Sequence, residues 1–261
     1  MAARTKIELI PWDHRSETHI TRMIAQRETC GWDAEKVPSW ALRAERGLKT
    51  MFWVTLANSL PDRDEMLNDH KNKHPNEVTP LQDTAATVNL ISRVPSGINF
   101  VPVGHVALNK NPAPDLEGHL EGLLPEDGVH WITSLYISTA FQRHGIGRAV
   151  MSHLEFLVAK LPSVSPSDND EDSEKDTVIV GGHEGPIMVL DTIPTEVYIG
   201  EWAAKNFWNP LGLAMPKIST QEWYESQGYE IFACLPDHRT MPLPTGFTIN
   251  VPILMLKKVL R

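Results

Sequence analysis

The stretch SLYISTAFQRHGIGRAVMSHL, Ser134–Leu154, has three parts. Its first residues end a run from Val129 to Ser138 in which β-branched and aromatic residues alternate with smaller ones, the composition of a strand. Its last residues begin a helix, because Val150, Leu154, Leu157 and Val158 recur at helical spacing up to about Lys160, and Pro162 stops it. Between them Gln142, Arg143 and His144 lead into Gly145-Ile146-Gly147. A helix N-terminus carries unpaired N–H groups and partial positive charge, and glycines let an anion approach the main chain. The spacing predicts a strand–turn–helix that cradles a phosphate.

Two phosphate motifs fail here. A P-loop needs Lys-Ser/Thr after its second glycine, and Arg148-Ala149 stand there. A dinucleotide fingerprint needs a third glycine where this chain has Val150, and no acidic strand-end residue follows about 20 positions on. A third pattern, Gln/Arg-x-x-Gly-x-Gly/Ala, is filled by Gln142, Gly145 and Gly147. On these residues the stretch resembles the coenzyme A-binding segment of the GNAT superfamily of N-acetyltransferases. VGHVAL, 103–108, is similar to that family's third strand, and WYESQGYEIF, 223–232, resembles its YEKxGF ending.

The resemblance implies acetyl-CoA as cosubstrate and a primary amine as acceptor, with direct attack in a ternary complex. It implies a bulged strand whose main chain at Leu135, Tyr136 and Ile137 pairs with the pantetheine arm. It places the pyrophosphate on Gln142, Arg143, His144, Gly145, Ile146, Gly147 and Arg148. Tyr224 matches the family's acid, which protonates the leaving thiolate. The family's strand glutamate is missing: from Val129 to Ser138 the chain offers His130, Thr133 and Ser134. His130, Asp191 and a water chain all stay open as the route by which the amine loses its proton. The family's asparagine seven residues before the tyrosine is Lys217 here. Trp32, in the loop after the first helix, borders the acceptor site in such enzymes; it joins Ser134, with Trp202 or Trp208, as a substrate-binding candidate. Most of the other tryptophans suit a core.

Outward from the centre, Lys6–Ile10 alternates into Pro11 as a first strand. Ser16 is placed to cap a helix bearing Ile20, Met23, Ile24 and Arg27 on one face. A second helix runs from about Ser39 to Leu48, and Met51–Ala57 is a strand. Residues 60–80, with three prolines and many charges, read as a flexible insertion. Thr84–Arg93 and Val101–Asn109 are strand-like, and Asn111–Gly128 is a Pro/Gly-rich connection. Pro186–Ile193, Tyr229–Cys234 and Ile249–Val259 read as strands. A short helix from Ser219 ends at Gly228, which suits a left-handed cap. This mixture predicts a single domain over 1–261 of α/β (α+β) class, with a mostly antiparallel central sheet flanked by helices and long loop insertions.

Composition excludes several classes. No run approaches the roughly 18 apolar residues of a membrane helix, and two cysteines, Cys30 and Cys234, do not make a disulfide framework. The histidines lack metal-ligand spacing, so no metal is expected. Of the net charge of −9, six acidic residues lie between Asp168 and Asp176 against Lys175 alone. That segment, within a second expected flexible insertion at 163–177, is solvated, and the rest is only mildly acidic. Neither a nucleic-acid nor a membrane partner is expected, and the default is a cytoplasmic monomer or homodimer. The enclosed acceptor pocket suggested by the insertions favours a small-molecule amine. A protein or peptide amine, and an inactive acyl-CoA-binding sensor, are the alternatives.

Overall fold

Ile7–Pro11 (β1) is a strand whose two buried residues, Ile7 and Ile10, stand three apart and so point to opposite faces, each covered at that position. It pairs antiparallel with Thr50–Leu56 (β2), Ile10 opposite Trp53. β2 pairs antiparallel with Gly104–Asn109 (β3), and β3 with Val129–Ile137 (β4). Glu17–Cys30 (α1), Val37–Glu45 (α2), Arg63–Lys73 (α3) and Ile146–Ala159 (α4) are the principal helices around these strands. A computed structural model describes residues 6–160 and 185–261. They fall into two compact units, one of the chain up to Asn111 with Trp131–Val158, the other of Pro112–His130 with the chain from Ala159 onward. In each unit the strands pair antiparallel. The fold is therefore mixed α/β with a mostly antiparallel sheet and flanking helices.

In the first unit Trp12, Met23, Val37, Trp40, Met51 and Trp53 form the heart of the core, with Ile20 and Ile24 packed against it. The buried face of α1 is more polar than its sequence suggests. His19, Arg22, Gln26 and Arg27 lie inside beside Met23, and their burial is tolerated because each is hydrogen-bonded. His19 Nδ1 accepts from Asp13 N–H at 3.1 Å and from the Trp53 indole at 3.0 Å. Its Nε2–H must therefore donate to the Gln82 carbonyl, 3.0 Å away. Arg22 donates to the Glu77 and Thr79 carbonyls at 2.8 and 2.7 Å. Ser16 takes the N-cap position of α1 without a side-chain capping bond, and Gly31 closes the helix at φ +81°.

The stretch 60–80, expected as a flexible insertion, carries α3. Apolar periodicity is weak there, since only Leu67 and His70 turn inward, and polar contacts do the anchoring. His70 Nδ1 is 2.9 Å from Ser138 Oγ, and its ring stacks on Phe141 with centroids 5.6 Å apart. The other expected insertion, 163–177, lies outside the described residues. Thr84–Arg93 forms only a tight two-residue ladder, Thr87–Val88 against Ile91–Ser92, turning through Asn89 and Leu90 at φ +49° and +66°. Buried Asp83 clamps this loop. It accepts from Arg93 at 2.7 Å on each oxygen and from the Ser96 hydroxyl at 2.6 Å.

In the second unit Ile187–Thr192 (β5), Glu230–Pro242 (β6) and Thr248–Val259 (β7) pair antiparallel in the order β5-β7-β6. Thr220–Glu225 (α5) starts with a full capping box. Ser219 Oγ accepts from Glu222 N–H at 3.0 Å, and Glu222 accepts from Ser219 N–H at 2.7 Å. Gly228 at φ +85° ends the turn after α5, the left-handed position expected for it. Between β5 and α5 the chain makes two short helical turns, Thr195–Tyr198 and Glu201–Ala203, and a π-helical turn, Ala204–Trp208.

Candidate active site

The decisive feature of β4 is an extra residue. His105 faces Tyr136, while Ala107 faces Thr133, so β4 spends three steps where β3 spends two. Ser134 adopts φ +54° at this bulge, a conformation that costs a residue with a β-carbon about 1 kcal/mol or more and that marks functional sites. A bulge bends the strand and turns N–H and C=O groups out of the ladder. Gly104 permits the close approach of the two strands, because a Cβ there would collide with the Tyr136 carbonyl.

After β4 the chain turns through Thr139–Phe141, with Ser138 Oγ accepting from Ala140 N–H at 3.3 Å. Arg143 at φ +71° and Gly145 at φ +77° then reverse it into α4. Gln142, Arg143, His144, Gly145 and Arg148 are exposed, while Ile146 is buried and anchors the helix. The first N–H groups of α4 have no helical acceptor and face this exposed turn. Lys6 Nζ donates to the His144 carbonyl at 3.2 Å, which adds a cation beside Arg143. The structure thus brings Ser134–Ile137 and Gln142–Arg148 together along one strand–turn–helix. The contribution of Lys6 is not legible in sequence, because it comes from 138 residues away.

Around the bulge the structure adds residues that sequence reasoning missed. Lys49, immediately before β2, is 5% exposed. Its ammonium position lies 3.2 Å from Thr133 Oγ1, 3.4 Å from Ser134 Oγ and 4.4 Å from the centre of the Trp40 ring. Burial, with the Arg43 and Arg27 guanidinium groups, pulls its pKa down to about 7. Trp40 also carries Arg27 at 5.4 Å. Half-buried Trp32 is held by main-chain bonds: its carbonyl accepts from Arg27 Nε at 2.7 Å. Only a lysine between two predicted elements, among apolar residues, hinted at Lys49.

Deeper still, His105 Nδ1 lies 2.9 Å from Gln26 Oε1. The Gln26 amide nitrogen donates to Glu77 at 2.8 Å, so its oxygen is the acceptor and His105 donates. Burial lowers the His105 pKa well below the ordinary imidazole range. The Tyr136 side chain packs on His105 with ring centroids 5.3 Å apart, and burial raises its phenol pKa. Tyr136 therefore serves the core with its side chain and leaves its main chain at the bulge.

The remaining candidates belong to the second unit. Tyr224, on α5, is 9% exposed and packs edge-on against Trp223 and Tyr229, at 4.8 and 5.9 Å. Burial, then the Asp191 carboxylate, raises its pKa, so the phenol keeps its proton at neutral pH. Asp191 on β5 is occupied by Arg239 of β6 at 2.8 Å. His130 is half-buried near the start of β4. Trp202 is 43% exposed, and Trp208 donates its indole N–H to the Tyr198 carbonyl at 2.7 Å. Among the described residues no group of His, Cys, Asp and Glu is arranged to hold a metal, and no helix is long and apolar enough to cross a membrane.

Residues 66–163 match the model of the acetyltransferase (GNAT) family. Residues 66–163 thus resemble a GNAT acetyltransferase domain, and most of α3, with β3, the bulge, the turn and α4, lies within the match. No curated protein matches the chain. Solved structures similar to it include Arabidopsis thaliana NAA60 in complex with acetyl-CoA, at 11% identity and TM-score 0.48, covering 97% of each chain. Another is the Salmonella typhimurium acetyl transferase that modifies the N-terminal serine of ribosomal protein L7/L12, at 9% identity and TM-score 0.46, covering 98% of this chain and 96% of that one. A third is the aminoglycoside 6'-N-acetyltransferase from Enterococcus faecium, at 12% identity and TM-score 0.44, covering 98% and 97%.

Proposed function

We propose that the protein transfers an acetyl group from acetyl-CoA to a primary amine of a small molecule, by direct attack in a ternary complex. The observation that carries this reading is the bulge at Ser134 placed one turn before the exposed Gln142–Gly145 turn, inside the family match. The main chain of Leu135–Ile137 pairs with the pantetheine arm, and the N–H groups of Arg143–Arg148 bind the pyrophosphate, aided by Lys6. N–H groups freed at the bulge receive the thioester oxygen as it gains charge. The acceptor nitrogen forms the new C–N bond, the C–S bond breaks, and Tyr224 gives its proton to the departing sulfur. Tyr224 then recovers a proton from the acylated nitrogen. Trp32 flanks the acceptor.

Incubation with acetyl-CoA and a panel of polyamines, arylalkylamines, amino sugars, amino acids and peptides tests this, with thiol release as readout. Release that depends on a small amine supports the reading. Tight acetyl-CoA binding without release on any amine identifies an acyl-CoA sensor instead, and turnover on peptides alone moves the acceptor to a protein.

A further inference from the structure

Acetyl transfer needs a neutral amine, yet an alkylammonium has a pKa of about 10.4. The strand that precedes the turn carries no carboxylate to take that proton, and Asp191 is held by Arg239. The group that reaches the bulge is Lys49. Its neighbours decide what it does there. Thr133 Oγ1 accepts from Asn109 Nδ2 at 3.2 Å and from Lys49 Nζ at 3.2 Å, which uses both of its lone pairs. A neutral amine has one lone pair of its own. With an N–H directed at Thr133, that lone pair is available to the Ser134 hydroxyl, 3.4 Å away. Ser134 is the strained, half-buried residue of the bulge, so its hydroxyl connects buried Lys49 to the place where the thioester is read.

We propose that Ser134 and Lys49 form the proton path of the acceptor. The acceptor ammonium gives a proton to the Ser134 hydroxyl, whose own proton passes to Lys49 Nζ. The freed amine attacks, and Lys49 returns its proton to solvent after turnover. This rests on the acetyl-transfer reading above and extends the same site. The charged and titratable groups around Lys49 favour it as an acceptor. Arg27 of α1 and Arg43 of α2 oppose its protonation. Asp33, which favours protonation, is engaged by Arg27 at 3.6 Å and Lys36 at 2.8 Å. Neighbouring His105 of β3 stays neutral. The Trp40 face attracts a cation, but Arg27 already shares that ring. With a pKa near 7, Lys49 is both available as a base and able to hold a proton at neutral pH.

The test compares kcat/KM against pH for two acceptors. One is the alkylamine that turns over fastest in the panel. The other is the aminooxy compound of the same carbon skeleton, already neutral at pH 7. The wild type should plateau above about pH 7 with the alkylamine. Lys49→Met should lose on the order of 10²-fold at pH 7, regain it as pH approaches 10, and lose little with the aminooxy compound. Lys49→Arg keeps the charge but cannot deprotonate, and should behave like Lys49→Met. Ser134→Ala should show the same pH-dependent loss, which keeps the proposal testable if a Lys49 variant fails to fold. Equal losses on both acceptors, with an unchanged pH profile, would make Lys49 a prop of the bulge and overturn the proposal. Wild-type protein that releases no thiol with any amine would overturn acetyl transfer itself, and the path with it.

Discussion

Tyr224 is buried against two aromatic rings and keeps its proton to high pH. A proton donor in such a site is valuable at the departure of the thiolate and irrelevant to cofactor binding. Tyr224→Phe is expected to lower kcat on the order of 10²-fold in steady-state assays, with acetyl-CoA affinity by calorimetry unchanged. Gly145 makes a different contribution. At φ +77° a β-branched residue costs about 1–2 kcal/mol of main-chain strain, and on the proposed function its side chain would stand where the pyrophosphate approaches. Gly145→Val should therefore raise the Kd for acetyl-CoA about tenfold or more, measured by the same calorimetry. The left-handed turn at Gly145 and the short helix bearing Tyr224 were legible in the sequence, because glycines at a turn and at a helix end are marked by local spacing. Lys49 and Lys6 were not. Their placement at the bulge and at the turn comes from contacts 84 and 138 residues away along the chain, and a lone lysine carries no local signature.

At the scale of elements, capping explains how Tyr224 is placed on so short a helix. The six residues of α5 are too few to be stable by propensity, and Ser219 bonds both Glu222 and Thr195, the latter at 2.6 Å. Ser219→Ala should cost about 1 kcal/mol in chemical denaturation and reduce kcat more than a distant substitution of equal cost. The 84–96 loop depends on one acid in the same way. Arg93, and then Ser96, hold the Asp83 carboxyl far below the ordinary carboxylate range despite its burial. Asp83→Ala leaves Arg93 without its partner and should destabilise the protein by about 3 kcal/mol. Strands and amphipathic α4 were readable because their apolar residues repeat with a period. The helix α3 and the polar face of α1 were not, since α3 offers only Leu67 and His70 to the interior and α1 buries hydrogen-bonded histidine, arginine and glutamine. Periodicity methods weigh hydrophobicity and miss a face held by hydrogen bonds.

At the scale of the molecule, the first unit contains several imidazoles kept neutral by burial. Burial lowers the pKa of His19 and His105, and burial with His74 and Arg22 brings His70 down to about 4. Glu77 lies 3.8 Å from His70, too far for a hydrogen bond. The unfolded chain binds protons at these histidines below about pH 6.5 while the folded one does not, so stability must fall as pH drops from 6.5 toward 4. Each fully coupled histidine contributes a slope of about 1.4 kcal/mol per pH unit. Asp83 works in the same direction at lower pH: its depressed pKa stabilises the fold above the unfolded value near 3.9, and that stability is lost as pH falls further. Thermal melts at pH 7, 6 and 5 should show a falling Tm, and His70→Gln should make the fall shallower. A Tm independent of pH over this range would contradict the neutral assignment.

On the proposed function, the bulge of β4 and the Gln142–Gly147 turn present acetyl-CoA to an amine. Calorimetry against acetyl-CoA, ATP and NAD, on the wild type and Gly145→Val, tests it most directly. Saturable binding of acetyl-CoA alone is expected, weakened about tenfold or more by the substitution. Binding of ATP or NAD in its place, or acetyl-CoA affinity that Gly145→Val leaves unchanged, would contradict it.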